Sequence, residues 1–82
     1  MKKVLRHFSD VLRQWRKEHG LKQSAAAKEL GVSASTWGHW EARARFPSLE
    51  NLVALSRYTK IPIQHFFLSY KDLCPITVDN KD

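Results

Sequence analysis

The sequence predicts an all-α protein built from five short helices, and two observations support this fold class. Apolar residues recur through most of the chain at the three- and four-residue spacing of a helical face. Strand-like character is confined to one short run, residues 76–78, and no series of alternating strands follows it. Eighty-two residues are too few to form two separate hydrophobic cores, so we expect one domain.

Glycine and serine residues mark the ends of the first three helices. Apolar residues between positions 4 and 15 share one helical face, and Gly20 is suited to end that first helix in a left-handed conformation. The second helix is predicted over residues 23–30, where alanines favour it, and Gly31 stops it. Ser33 can start the third helix because its hydroxyl accepts from free backbone N–H groups.

Two prolines mark the later helices. Pro47 interrupts the chain, after which Ser48 is expected to cap a fourth helix. Pro62 suits the first turn of a fifth helix, where its missing N–H has no cost. Beyond that helix the pattern weakens, so we predict a domain at residues 1–68 and a C-terminal tail at residues 69–82.

The third helix has two different sides. At roughly 100° per residue, one side carries Ser33, Trp37, Trp40 and Ala44, and the opposite side carries Ser35, His39 and Ala42, with Gly38 on its flank. We interpret the tryptophans as inward anchors of the helix. The outward side is small and smooth, which permits close approach to another surface but does not prove it.

Positive charge is concentrated in the body of the chain. The net charge is +6; residues 1–60 hold 12 Lys or Arg against 5 Asp or Glu, whereas residues 61–82 hold 2 against 3. This distribution favours an anionic partner, most often nucleic acid. A solvated basic surface that only maintains solubility remains an alternative on charge alone.

Several classes of protein are disfavoured. No apolar run reaches the roughly 20 residues that a membrane span needs, and the N-terminus lacks the apolar region of a secretory signal. Cys74 is the single cysteine, which excludes an internal disulfide and fits a reducing, cytoplasmic setting. The four histidines lack metal-ligand spacing, and no catalytic constellation stands out. We therefore expect no enzyme activity, no metal and no cofactor.

A set of residues spread from about Phe8 to Phe67 adds a more specific indication. They are Arg16, Gly20-Leu21, Gln23, Ala27, Leu30-Gly31-Val32-Ser33, Trp40-Glu41, Pro47-Ser48, Leu52 and Ile61-Pro62-Ile63. In this order and spacing the segment resembles the phage Cro/repressor-type, or XRE-like, helix-turn-helix family. The resemblance implies a five-helix lambda-repressor-like DNA-binding domain followed by the short tail.

The resemblance also implies roles for individual residues. Arg16 and Glu41 are expected to form a partly buried structural ion pair. The positions that contact bases in the family correspond here to Ala34, Ser35 and His39. Those that contact the DNA backbone correspond to, or lie beside, Lys22, Gln23, Thr36, Ala42, Arg43 and Arg45.

This chain departs from the family pattern at three places. The base-contacting side chains are small, so the direct code they offer is sparse. Lys22 stands where the family usually has a serine or threonine cap. Arg43 stands where it usually has glycine, and left-handed backbone would cost an arginine about 1–2 kcal/mol. Either the third helix continues further than usual, or the loop after it differs.

Together these features predict a transcriptional regulator that binds double-stranded DNA with sequence preference, with residues 34–42 as the helix in the major groove. We expect a homodimer in the cytoplasm of a bacterium or phage-infected cell, associated with the nucleoid. The alternative is an antitoxin-like or other protein-interaction module of the same fold. Candidate dimerisation or partner-binding residues are Phe66 and Phe67 of the fifth helix and Tyr70, Leu73, Ile76 and Val78 of the tail. The alternative is that these apolar residues cover the protein's own core.

Overall fold

The computed structural model describes residues 2–67, and the regular secondary structure of this part of the chain is entirely helical. It contains α1 (Lys2–Glu18), α2 (Gln23–Leu30), α3 (Ala34–Glu41), α4 (Leu49–Thr59) and a 3₁₀ helix (Ile63–Phe66). No strand occurs among these residues, which confirms the all-α prediction for them. No helix in this range is long and apolar enough to cross a membrane.

The predicted fifth helix is a single 3₁₀ turn, so the count of five α-helices is not confirmed. Pro62 has φ −55° and ψ 139°, which places it before the helix and outside its first turn. The N–H of His65 donates to the Pro62 carbonyl at 2.9 Å, and that of Phe67 donates to the Gln64 carbonyl at 3.2 Å. These bonds span three residues, as in a 3₁₀ helix.

The predicted serine caps are confirmed at two helices. The Ser33 hydroxyl accepts from the N–H of Thr36 at 3.0 Å at the start of α3. The Ser48 hydroxyl accepts from the N–H of Asn51 at 3.2 Å at the start of α4. Each bond satisfies a backbone donor that has no partner within its own helix.

The ends of α1 and α2 have the same backbone geometry, and both use the predicted glycines. Gly20 and Gly31 take left-handed conformations with φ 64° and 91°. The N–H of Leu21 returns to the Arg16 carbonyl, and that of Val32 returns to the Ala27 carbonyl. This is the Schellman arrangement, in which glycine avoids the steric cost of positive φ.

One hydrophobic core connects the helices, and Phe8 of α1 lies near its centre. The Phe8 ring centroid is 5.1 Å from that of Phe46, 5.7 Å from Phe66 and 6.4 Å from Trp40. The buried apolar residues are Phe8, Leu12, Trp15, Ala26, Ala27, Trp37, Trp40, Leu52, Leu55 and Phe66. Two apolar residues of α4 lie outside this core, since Leu49 is 74% and Val53 39% exposed.

The predicted domain boundary and tail lie outside the described residues. The described range, residues 2–67, falls within the predicted domain at residues 1–68. The expectations for Cys74 and for the apolar residues of the tail therefore stay predictions.

Candidate nucleic-acid interface

A compact turn joins α2 to α3 and fixes how the two helices cross. Gly31 ends α2 in left-handed backbone and Ser33 caps α3. Ala26 and Ala27 of α2 are buried, and their small side chains allow close packing in the core. The two helices and their short connection form a helix-turn-helix.

Two tryptophans hold α3 to the body of the protein, as predicted. Trp37 is 0% and Trp40 3% exposed, and their ring centroids are 5.9 Å apart. Ser33 and Ala44 do not share this buried side: both are exposed, because Ser33 is the cap before α3 and Ala44 lies in the loop after it. The inward side of α3 is therefore formed within the helix by Trp37, Trp40 and Glu41.

The glutamate on the inward side is bonded to three helices. The Arg16 guanidinium of α1 donates to both carboxylate oxygens of Glu41, at 2.6 and 2.9 Å. The Trp37 indole N–H donates to Oε2 at 2.6 Å, and the Gln23 amide of α2 donates to Oε1 at 3.1 Å. A further Arg16 N–H donates to the Leu21 carbonyl at 2.9 Å, which fixes the guanidinium against the loop between α1 and α2.

These bonds outweigh the cost of burying a carboxylate. Burial by itself raises the pKa of Glu41. Hydrogen bonds from Arg16, Trp37 and Gln23, together with the positive charge of Arg16, lower the pKa by more than burial raises it, so the pKa lies below its ordinary value. The hydrogen bond to Glu41 raises the pKa of Arg16 despite partial burial. Both groups therefore stay charged, and the pair joins α1 to α3.

The residues expected to contact bases lie on the outward side of α3. Ala34, Ser35 and His39 are all exposed. Ala42 is exposed too, but α3 ends at Glu41 and Ala42 is its C-cap, so the predicted helix 34–42 is one residue too long. The physical reason is Arg43, whose φ of 63° ends the helical conformation.

Arg43 adopts the left-handed conformation that the family's glycine would take. The N–H of Ala44 donates to the His39 carbonyl at 2.9 Å and that of Arg43 donates to the Trp40 carbonyl at 3.4 Å. This is a third Schellman arrangement, with arginine where α1 and α2 use glycine. Both expected alternatives were wrong: the helix does not continue further, and the loop keeps the left-handed turn instead of differing from it.

The residues expected to contact the DNA backbone are not all equally available. Lys22, Arg43 and Arg45 are exposed, and Lys22 makes no side-chain cap to α2. Gln23 is half-buried: its amide is bonded to Glu41, and its Oε1 lies 3.4 Å from where a Cβ on Gly38 would be. A Cβ at position 38 would make only an ordinary van der Waals contact with Gln23 Oε1, so this contact does not require a glycine there.

Three of the residues predicted to contact DNA line one cleft between α3 and the start of α4. Thr36, His39 and Arg45 line it together with Ser48 and Asn51, and its volume is about 190 Å³. Thr36 is half-buried and its hydroxyl accepts from Ser33 at 2.8 Å. The cleft brings a predicted base contact and two predicted backbone contacts to one surface.

Comparisons with known proteins agree with this geometry. A family profile described as a helix-turn-helix domain matches residues 7–64. The chain belongs to the helix-turn-helix domain family. This confirms the family prediction and supports a role in DNA binding.

One curated relative of this helix-turn-helix protein is the uncharacterized HTH-type transcriptional regulator YobD of Bacillus subtilis (strain 168). It is 35% identical over 58 residues, which are 71% of this chain and 52% of the relative. The matched segment thus spans about half the length of the relative. No solved structure gives a significant match.

Proposed function

We propose that this protein is an XRE-like transcriptional regulator that binds double-stranded DNA with the outward side of α3 in the major groove. The observation that carries the proposal is the division of α3 into a buried side and an exposed side. Trp37 and Trp40 are buried, whereas Ala34, Ser35 and His39 are exposed. A helix held in this way can present a smooth side to a groove without losing its own packing.

The exposed residues divide into two roles. Lys22, Arg43 and Arg45 carry the charge for phosphate contacts, which set position on the duplex without reading sequence. Thr36 can add a backbone contact through its hydroxyl, and the start of α2 at Gln23 through free N–H groups. Ala42 can add only van der Waals contact, because its N–H is bonded to the Gly38 carbonyl.

In this proposal the base contacts are made by the exposed side chains of α3. His39 can donate to a guanine acceptor, Ser35 can bond to several base edges, and Ala34 can contact a thymine methyl. Few bidentate contacts are available from such a set. Sequence preference therefore rests partly on water bridges, DNA shape and the spacing of half-sites.

A homodimer is the assembly that best fits one short reading helix. Eight residues of α3 contact only a few base pairs, whereas two copies read half-sites about 34 Å apart. Such a regulator would act in the cytoplasm, at the nucleoid of a bacterium or on phage DNA.

A second candidate function is an antitoxin-like or other protein-interaction module. Leu49 and Val53 lie one helical turn apart on α4 and are 74% and 39% exposed, which favours a contact with another polypeptide. If this protein copurifies with a partner that binds through these residues, and if it binds no DNA duplex, the second function replaces the first.

Selection of duplexes from a random pool, followed by binding measurements over a range of salt, tests the proposed function. Replacing Lys22, Arg43 or Arg45 by Ala should weaken binding to every duplex and flatten the salt slope by about one unit per lost contact. Replacing Ser35 or His39 by Ala should instead change the preference among duplexes.

Arg57→Ala is the matched control for the loss of charge. Arg57 is exposed in the last turn of α4, away from the cleft at the start of that helix. It should leave the slope unchanged. If all three basic variants behave like Arg57→Ala, or if no duplex is enriched, the proposed function is wrong.

A further inference from the structure

One carboxylate on α1 binds two arginines at the same oxygen. Asp10 Oδ1 accepts from Arg13 Nη2 at 3.2 Å and from Arg43 Nη2 at 3.0 Å. The first contact is local to α1, but the second connects α1 to the loop after α3, 33 residues away in the chain. All three side chains are nearly half exposed, so the cluster is open to solvent and to a ligand.

Arg43 has a backbone conformation that α1 and α2 form with glycine. Three Schellman turns end α1, α2 and α3, and the first two have glycine at the left-handed position. The third has arginine, although a residue with a Cβ is strained there. Left-handed backbone does not by itself require a side-chain contact, since Lys60 adopts it at the end of α4. At Arg43, however, the side chain does make a contact, and its partner is Asp10.

The same guanidinium is one of the proposed phosphate contacts. Carboxylate and phosphate oxygens are bound by the same arginine N–H donors. Arg45, in the same loop, forms no ion pair with any residue in the range 2–67. Within residues 2–67, Arg43 is thus the one loop arginine whose bond to an intramolecular anion could be exchanged for a phosphate.

We infer that Asp10 competes with DNA for Arg43 and so limits the affinity of the protein for every duplex. In the free protein, the Arg43 guanidinium is bound to Asp10; on DNA it moves to a phosphate oxygen. Asp10 keeps its bond to Arg13 when Arg43 leaves, so its carboxylate is not left without a cationic partner. This inference rests on the proposed function and adds a residue of α1 that determines affinity without contacting a base.

A double-mutant cycle tests the competition, with a random-sequence duplex as the probe and fluorescence anisotropy at low salt as the readout. Asp10→Asn should tighten binding roughly two- to fivefold, the range expected for losing one exposed ion pair. In the Arg43→Ala background the same change should have only the effect of removing one negative charge. Asp10→Glu, which keeps the carboxylate, should bind like the wild type.

Glu18→Gln is the matched control for that charge effect, since Glu18 is exposed on α1 and its carboxylate accepts from Gln14 and forms no ion pair within the described residues. Circular dichroism of each variant checks that folding is unchanged. The competition is overturned if Asp10→Asn tightens binding no more than Glu18→Gln, acts equally in both backgrounds, or weakens binding. A wild type that binds no duplex refutes the proposed function and the competition together, whereas binding without coupling refutes the competition alone.

Discussion

The two sides of α3 differ in burial and in hydrogen bonding, although they belong to one helix of eight residues. On the inward side, Trp37, Trp40 and Glu41 are buried, and Glu41 accepts hydrogen bonds from all three of the helices α1, α2 and α3. On the outward side, Ser35 and His39 are exposed, and their side chains form no hydrogen bond within residues 2–67. The inward side sets where the helix lies, and the outward side is left for a ligand. Substitutions on one side should therefore change stability, and substitutions on the other should change binding.

The largest effect is expected at the most buried residue of the inward side. Trp37→Ala should lower the free energy of unfolding by about 5 kcal/mol, because it leaves a cavity and removes a donor from Glu41. A domain of this size has a similar total stability, so this variant should be mostly unfolded. Urea denaturation followed by circular dichroism measures the loss.

Two further variants check the size of this contrast. Trp37→Phe keeps an aromatic side chain but loses the indole N–H and part of the ring volume, and should cost about 1–3 kcal/mol. Ser35→Ala, on the outward side, should change stability by less than about 0.5 kcal/mol. Equal effects of Trp37→Ala and Ser35→Ala would remove the distinction between the two sides.

A smaller but still large effect is expected at the buried ion pair. Glu41→Gln keeps the size of the side chain but leaves the Arg16 guanidinium without its anion, which should cost about 3 kcal/mol. The Arg16 side chain is 15% exposed, so the effect belongs at the lower end of the range for buried pairs. In the same denaturation experiment, Glu18→Gln at an exposed site of α1 should be close to neutral.

The same residue should give the protein a defined sensitivity to acid. Because the folded-state pKa of Glu41 is below its ordinary value, the stabilisation is complete above that ordinary value and is lost as the pH falls through the folded-state pKa. The wild type should lose more stability than Glu41→Gln when the urea midpoint is followed from about pH 7 to about pH 3. Parallel losses in the two proteins would assign the acid sensitivity to other carboxylates.

A small gain in stability is expected at Arg43, in the loop after α3. Arg43→Gly should relieve left-handed strain of about 1–2 kcal/mol, offset by about 0.4–1 kcal/mol of unfolded-chain entropy and by loss of the exposed pair with Asp10. We expect a net gain of about 0.5 kcal/mol together with weaker DNA binding. Arg45→Gly is the control: φ at Arg45 is not positive, so that variant should only lose stability. A loss of stability in Arg43→Gly equal to that in Arg45→Gly would show that the backbone at Arg43 is not strained.

Local sequence signals predicted most of the fold. The second helix was predicted over the residues it occupies, and the serine caps and left-handed glycines lie where expected, because each depends on one side chain and its adjacent backbone. The fifth helix was overestimated, since Pro62 and a few apolar residues after it fit a 3₁₀ turn equally well. The end of α3 was one residue out, because the left-handed conformation of Arg43 is an unfavourable choice that residue preference does not predict.

The contacts between elements were harder to predict. The Trp37–Glu41 hydrogen bond had a detectable signal, because the two residues are four apart in a helix and a buried indole N–H needs an acceptor. The Gln23 bond to Glu41 and the Asp10 bond to Arg43 had none, since each depends on how two helices cross or on where a loop returns. The exposed side of α3 could thus be predicted from the sequence, whereas the hydrogen bonds between elements could not.

An NMR titration of the labelled protein with a selected duplex would show directly which side of α3 meets DNA. We expect the largest changes in chemical shift at the backbone amides of Ala34, Ser35 and His39, with little change at the indole N–H groups of Trp37 and Trp40. Changes concentrated instead on the exposed face of α1 or α4, with the α3 amides unaffected, would contradict the proposed interface.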